Sequence, residues 1–178
     1  MNIAPARLSV AIADNGVCIK IAGRANFTAS TDFKTLVQEL WARGYCRYTL
    51  DLTDCVVMDS TFLGVLAGSS LKLQAAGEKS PPIRVLNPNP RIAETFDTMG
   101  IAPLFEICTG AVPPTEYQPA APSAPASRVE LTRASLEAHQ TLMSISAANI
   151  PKFKDVAKFL AEDLQKMERN PNEKSNPS

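Results

Sequence analysis

The sequence lacks the motifs that mark most enzymes and metalloproteins. It contains no Walker phosphate loop, no Gly-x-Gly-x-x-Gly and no Gly-x-Ser-x-Gly. Its only histidine is His139, and its four cysteines include no Cys-x-x-Cys pair, so a Cys/His zinc site has little support. We therefore expect no metal and no cofactor, and we expect that the protein is not an enzyme.

The sequence also has no net charge and no long apolar run. Eighteen basic and eighteen acidic residues cancel, which argues against an electrostatic surface for nucleic acid. No stretch approaches the roughly 20 apolar residues of a membrane span, and no basic segment followed by an apolar one marks a secretory signal. We expect a cytoplasmic protein with reduced cysteines, without nucleic-acid binding and without direct membrane insertion.

The composition divides the chain into four parts. Strand and helix patterns alternate through residues 1–110, as in an α/β domain with a mixed sheet and packed helices. Residues 111–127 carry five prolines among alanines and serines, which favours an extended, semi-rigid linker. Residues 128–169 have two helical apolar repeats and are predicted to form a helical hairpin, and 170–178 are predicted to be disordered.

Within the first part, periodicity predicts the individual elements. Strands are predicted at residues 7–12, 17–22, 46–52, 83–87 and 104–107. Asp14-Asn15-Gly16 predicts a tight turn, so the first two strands should form a hairpin. The helix that follows is expected to be capped by Thr28 or Ser30 and to end at Gly44. Because it connects two strands as a crossover, those strands are expected to be parallel. Asn89-Pro90 predicts the start of a further helix.

The predicted hairpin needs a surface to pack on. Two helices alone bury little apolar area, so we expect it to dock on its own domain, on a second copy of the chain or on a partner. Deletion of residues 128–169 is expected to change the oligomeric state or the choice of partner rather than core stability. His139, near the apolar side of its first helix, is interpreted as a packed or rim histidine.

The most unusual stretch is the turn Asp59-Ser60-Thr61, which breaks an apolar run that then resumes with helical spacing. A hydroxyl residue at a helix start caps free N–H groups, typically worth about 1 kcal/mol, so Ser60 or Thr61 is first interpreted as a cap. A nucleophilic serine needs a base, and the only histidine lies far along the chain. Gly64 and Gly68 leave a shallow helix surface, which we interpret as packing on the sheet rather than partner docking.

The segment Leu50-Asp51-Leu52-Thr53-Asp54-Cys55-Val56-Val57-Met58-Asp59-Ser60-Thr61-Phe62-Leu63-Gly64 resembles the signature of the STAS domain family, the sulfate-transporter and anti-sigma-factor-antagonist domains. Other elements fit as well: the Gly23 loop, Asn87-Pro88, Thr98-Met99-Gly100-Ile101 and Leu104-Phe105-Glu106-Ile107. The resemblance covers roughly residues 7–108.

The resemblance implies an α/β sandwich and, for single-domain bacterial members, a partner-switching role in signal transduction and transcription regulation. Such members bind a serine-kinase anti-sigma factor, let go when a serine is phosphorylated, and are reset by a phosphatase. Carried to this chain, the phosphoacceptor is Ser60. A phosphoserine adds about −1.5 to −2 charges, which a helix N-terminus tolerates but which would repel an acidic or apolar partner.

The resemblance also implies a partner-binding surface. Its predicted residues are Asn26, Asp59, Ser60, Thr61, Phe62 and Gly64. Two of them depart from the family pattern, because Asn26 stands where an aspartate is frequent and Phe62 stands where a glycine is frequent. For Phe62 we favour packing over a partner contact.

Three hypotheses for function compete. The first is an anti-sigma factor antagonist-type switch controlled by Ser60, with self-association through the hairpin as an added feature. The second is a constitutive STAS scaffold subunit, for example in a lipid-transport complex, without a phospho-switch. The third is an enzyme or small-molecule sensor that uses the Asp59 turn as an anion pocket, which no accompanying motif supports.

Overall fold

The frame of the computed structural model is a mixed β-sheet; the structure describes residues 6–13, 16–77, 80–112, 116–121 and 123–170. Its strands are β1 (Arg7–Ala13), β2 (Gly16–Ala25), β3 (Arg47–Asp51), β4 (Cys55–Met58), β5 (Ile83–Leu86), β6 (Phe105–Cys108) and β7 (Gln118–Pro119). The sheet order is β6-β5-β3-β2-β1-β7, with β4 paired to β2. The predicted α/β class with a mixed sheet is confirmed.

The strand directions follow from the connections between them. β1 and β2 pair antiparallel as the predicted hairpin, although Asp14 and Asn15 of its turn lie outside the described residues. β2, β3, β5 and β6 are mutually parallel neighbours, as the helical crossovers require. These four strands therefore bring their carboxyl ends to one edge of the sheet.

β4 is a strand that periodicity did not predict as a separate element. It has only four residues, and it pairs with the end of β2 after a register shift between Gly23 and Arg24. Gly23 has a φ of 92°, which a glycine adopts without steric cost. The long strand β2 thus pairs with two strands: its first half pairs with β3 and its end pairs with β4. This arrangement places the residues after β4 beside the end of β2.

The helices are α1 (Phe27–Ala42), α2 (Ser60–Ala75), α3 (Pro90–Thr98), α4 (Arg128–Ile145) and α5 (Ile150–Arg169), with short 3-10 turns at Ala102–Leu104 and Ala147–Asn149. The predicted start of α3 at Asn89-Pro90 is confirmed. The predicted cap of α1 is wrong, because Asn26 is its N-cap and accepts from the N–H of Ala29 at 3.2 Å. An earlier Asx side chain satisfies the orphan donors before Thr28 or Ser30 can.

The core lies between the sheet and the helices that cover it. Its largest fully buried side chains include Ile19, Ile21, Phe33, Leu50, Leu52, Phe62, Leu63, Leu66, Ile83 and Phe96. Each such side chain contributes about 1.5–3 kcal/mol on burial. Ala138, Leu142 and Phe153 belong to the same cluster. The C-terminal hairpin therefore packs on its own domain, which selects one of the three surfaces expected for it.

The hairpin is attached to the domain along α4 and at its turn. α4 packs against α2, and α5 packs against α4. At the turn between them Asn149 is fully buried, and its side-chain amide donates to the carbonyls of Met99 at 2.9 Å and Leu142 at 2.8 Å. At the start, Ser127 and Glu130 form a reciprocal capping box. The predicted helical hairpin is confirmed.

The proline-rich segment also contacts the sheet. Gln118–Pro119 pairs with β1 at the sheet edge, and the N–H of Ala120 donates to Leu8 at 3.0 Å. Tyr117 donates to the buried carboxylate of Asp51 at 3.2 Å. We expected an extended, semi-rigid linker, and the described parts of this segment follow the edge of the sheet. Among the described residues, no helix combines the length and apolarity needed to cross a membrane.

Candidate functional site at the start of α2

Asp59 connects the starts of α1 and α2. Its Oδ1 accepts from the N–H of Phe62 at 2.8 Å, and its Oδ2 accepts from the N–H of Phe27 at 2.7 Å. Its own N–H donates to Ala25 at the end of β2, at 2.9 Å. The prediction that Ser60 or Thr61 caps α2 is therefore wrong. A carboxylate has two oxygens and serves both helices at once, and the two hydroxyls that follow are left for other contacts.

Ser60, the first residue of α2, is half-buried and forms its side-chain hydrogen bond with α4. Its Oγ lies 2.9 Å from Nε2 of His139. Nδ1 of that imidazole lies 2.7 Å from the carbonyl oxygen of Ser135. A carbonyl only accepts, so Nδ1 carries a proton and donates to it, and in that tautomer Nε2 is the acceptor. Ser60 therefore donates its hydroxyl proton to His139.

His139 is fixed by more than these two hydrogen bonds. It is only 6% exposed, and its ring centroid lies 5.0 Å from that of Phe153 in α5. The interpretation of His139 as a packed histidine is correct, yet it missed the hydrogen bond to Ser60. No local pattern signals this pair, because 79 residues separate its members.

The same pair removes one argument against catalysis. We argued that Ser60 has no base, and the structure places an imidazole within the distance at which a base acts on a serine. The surroundings are less suitable for an acyl-transfer site. The carboxylate of Asp59 lies at the same helix start, and the N–H of Phe62 is already used by that carboxylate. A developing oxyanion would meet a negative charge instead of free donors.

One turn further along α2, the two helices make their closest approach. A Cβ built on Gly64 would lie 2.6 Å from the Cβ of Ala138. Gly64 therefore faces α4, not the sheet as we expected. At Gly68 a Cβ would meet only Thr141, at 3.8 Å, and a cleft of about 370 Å³ opens there between α1, α2 and α4.

Two further contacts hold α4 over this surface. Oγ1 of Thr61 lies 3.1 Å from Oγ of Ser135. Lys34 of α1 and Glu137 of α4 form an ion pair at 3.1 Å. Because both partners are partly exposed, that pair contributes at most about 1 kcal/mol. α4 thus touches both helices whose N-termini Asp59 connects.

The predicted partner-binding residues separate into three groups. Asn26, Asp59, Ser60 and Thr61 lie together at the adjacent starts of α1 and α2. Phe62 is fully buried, with its ring centroid 5.4 Å from that of Phe33. It packs in the core, as favoured from the sequence. Gly64 lies under α4, so in this conformation it is covered by the protein's own hairpin.

The cysteines have structural surroundings. Cys18 and Cys55 are buried, and burial raises the pKa of the Cys55 thiol to about 11 and also raises the pKa of Cys18. A thiol with a raised pKa is a poor nucleophile at neutral pH. In the part of the chain that the structure describes, no three His, Cys, Asp or Glu side chains come together as a metal site.

Comparison with known proteins identifies the family. The sequence model of the STAS domain matches residues 7–112, which is more than half of the chain. The protein belongs to the STAS domain family. The match ends before α4, so the helix that contacts Ser60 lies outside the matched domain.

Two solved structures align with part of the chain. The NMR structure of the protein TM1081 superimposes with a TM-score of 0.51 at 21% identity, over 56% of this chain and 78% of that one. The phosphorylated form of the Bacillus cell-fate determinant SpoIIAA has a TM-score of 0.47 at 21% identity, over 57% of this chain and 91% of that one. No curated protein sequence matches the chain.

Proposed function

We propose that the protein is an anti-sigma factor antagonist-type regulator in which Ser60 accepts the controlling phosphate. The observation that carries this proposal is the state of the Ser60 hydroxyl. Asp59 caps α2 in its place, so the Oγ of Ser60 takes no part in the helix start and bonds instead to His139 of α4. The position matches the serine that the STAS signature carries, within a chain that belongs to that family.

The proposed switch acts through a local change of charge at the start of α2. In the unphosphorylated form the start of α2 binds a serine-kinase anti-sigma factor. Phosphorylation places about −1.5 to −2 charges beside the carboxylate of Asp59, at a helix N-terminus whose dipole tolerates them. The domain stays folded, and a partner that must desolvate this surface is released. A phosphatase restores the binding form.

The test is phosphate mapping on the full chain. Protein purified from its native host, or incubated with ATP and a serine kinase that co-purifies with it, is expected to gain one phosphate on the peptide that contains Ser60. Ser60→Ala should remove it, and Thr61→Ala, the adjacent hydroxyl, should keep it. Phosphate that is never found on Ser60, or a Ser60→Asp variant that binds the kinase as tightly as wild type, overturns the proposal.

A scaffold role is the second candidate, and the covered state of Ser60 favours it. The hydroxyl of Ser60 is hydrogen-bonded to His139, and Gly64 is covered by Ala138, so both have a structural use without any modification. In that case the protein is a constitutive subunit of a larger complex. Co-purification with the same partners from Ser60→Ala, Ser60→Asp and wild-type cells would support this second function.

A further inference from the structure

The surface proposed for partner binding is occupied by the protein's own hairpin. Three residues from two successive turns of α4 meet three residues of α2: Ser135 meets Thr61, Ala138 meets Gly64 and His139 meets Ser60. Since the STAS match ends at residue 112, this occupant is an addition to the domain.

We propose that the α4–α5 hairpin is an intramolecular cover of the Ser60 surface, and that docking of this cover and phosphorylation of Ser60 exclude one another. The inference rests on the proposed function for its trigger, since it takes Ser60 to be the modified residue. Opening of the hairpin precedes phosphoryl transfer, and the phosphate then keeps the hairpin from closing.

The exclusion follows from the contact at Ser60. Oγ and Nε2 of His139 are 2.9 Å apart, a gap that holds one shared hydrogen. A phosphoryl group replaces that hydrogen with a phosphorus and three oxygens, all of them acceptors. They would have to fit into a gap that held one hydrogen, and in the tautomer whose Nδ1 donates to the carbonyl of Ser135, Nε2 has no proton to offer them. Phosphorylated Ser60 would therefore lose its hydrogen bond to His139 and would not fit under the docked α4.

A small adjustment of α4 does not relieve this conflict. The helix is held on one side by the Thr61–Ser135 hydrogen bond and on the other by the buried side chains of Leu142 and Phe153. Moving α4 outward far enough to admit a phosphate separates these contacts along its length. Packed helix interfaces have discrete arrangements rather than continuous ones, so we expect the hairpin to leave as a unit.

Docking of the hairpin and phosphorylation of Ser60 are linked reciprocally, so the hairpin can regulate the state of Ser60. If phosphate disfavours docking, docking disfavours the phosphorylated state by the same factor at equilibrium. Because the hairpin is tethered by the same chain, it competes with any partner at high effective concentration. A partner that binds the start of α2 has to displace the hairpin first.

The first test uses the full chain with phosphoserine installed at position 60 by genetic code expansion. Hydrogen–deuterium exchange is measured for the amides of α4 and α5. We expect exchange there to accelerate by roughly tenfold or more in the phosphoserine protein, a coupling of ordinary allosteric size. Ser60→Ala should stay near wild type, and exchange of β3 and β5 that remains much slower than that of α4 shows that the domain is folded. Unchanged protection of α4 in the phosphoserine protein overturns the inference.

The second test opens the cover without phosphate. Gly64→Ala places a Cβ against Ala138, and Gly68→Ala, its matched control one turn along, places a Cβ in ordinary contact with Thr141. In a Ser60→Cys background, the alkylation rate of Cys at position 60 by iodoacetamide is followed by peptide mass. We expect Gly64→Ala to raise this rate several-fold and Gly68→Ala to leave it unchanged. Equal rates in both variants count against a cover.

The two proposals fail in different ways. If the phosphoserine protein keeps α4 protected, the cover is refuted whatever the native modification state is. If the phosphoserine protein opens but protein from the native host never carries phosphate on Ser60, the proposed switch is refuted and the cover remains a property of the fold.

Discussion

Gly64 of α2 lies so close to Ala138 of α4 that a Cβ on residue 64 would be 2.6 Å from the Cβ of Ala138. Real Cβ atoms do not approach other atoms this closely, so only glycine permits the observed docking. The Ser60–His139 and Thr61–Ser135 hydrogen bonds between the start of α2 and α4 depend on this approach. A residue without a side chain thus sets the position of the hairpin.

Gly64→Ala and Gly68→Ala are expected to change stability in opposite directions. The first should lower the free energy of unfolding by about 1–3 kcal/mol, the usual cost of overpacking. The second should raise it by about 0.5–1 kcal/mol, because alanine is the better helix residue and meets only Thr141 at 3.8 Å. Urea denaturation followed by circular dichroism measures both. A Gly64→Ala protein as stable as wild type would show that α4 does not dock as described.

Leu142→Ala is expected to destabilise the whole domain. Leu142 of α4 is fully buried in the main core cluster, and truncation of such a leucine costs about 2–5 kcal/mol. Val156→Ala in α5 is the control, since that side chain is 38% exposed and should cost little. Thermal and urea unfolding of both variants would decide whether the hairpin is part of the cooperative core.

This expectation corrects the one drawn from the sequence, that removal of residues 128–169 leaves core stability unchanged. Because Ala138, Leu142 and Phe153 lie in the core cluster, deletion should lower the melting temperature substantially. A truncated protein with the melting temperature of the full chain would restore the earlier view.

Local sequence patterns were sufficient to predict most helices and strands, but they were insufficient to predict the contacts of the candidate site. Alternation of side chains predicts β1 and β2, and Asn89-Pro90 predicts the start of α3, because these signals depend on neighbours in the chain. β4 was missed because four residues hold too little pattern. The cap of α2 was misassigned because hydroxyl residues and Asp59 both fit a cap, and only the position of α1 decides between them.

The contacts of the hairpin could not be predicted from the sequence for a different reason. Apolar stripes show that α4 and α5 must pack somewhere, but they do not say on what. The Ser60–His139 hydrogen bond joins residues 79 apart, and the short strand at Gln118–Pro119 depends on the edge of β1. Such contacts result from the assembled tertiary structure, not from local propensity.

Asp59→Ala is expected to loosen the starts of both α1 and α2. It removes the acceptors of the Phe62 and Phe27 N–H groups, and loss of a cap costs about 0.5–2 kcal/mol for each helix end served. Asp59→Asn retains one side-chain oxygen and should cost about half as much. Denaturant unfolding, with hydrogen exchange at the amides of Phe27 and Phe62, measures the effect. Unchanged exchange at Phe27 would show that Asp59 serves only α2.

Ser60 is expected not to behave as a catalytic serine, although its hydroxyl donates to His139 at 2.9 Å. An acyl-transfer nucleophile needs donors that stabilise an oxyanion. Here the carboxylate of Asp59 occupies that region and already accepts from the N–H of Phe62. Incubation with a fluorophosphonate probe should therefore leave the intact mass unchanged, while a serine hydrolase treated in parallel is fully labelled. Labelling that disappears in both Ser60→Ala and His139→Ala would identify a working nucleophile and base, and would replace the regulatory assignment with an enzymatic one.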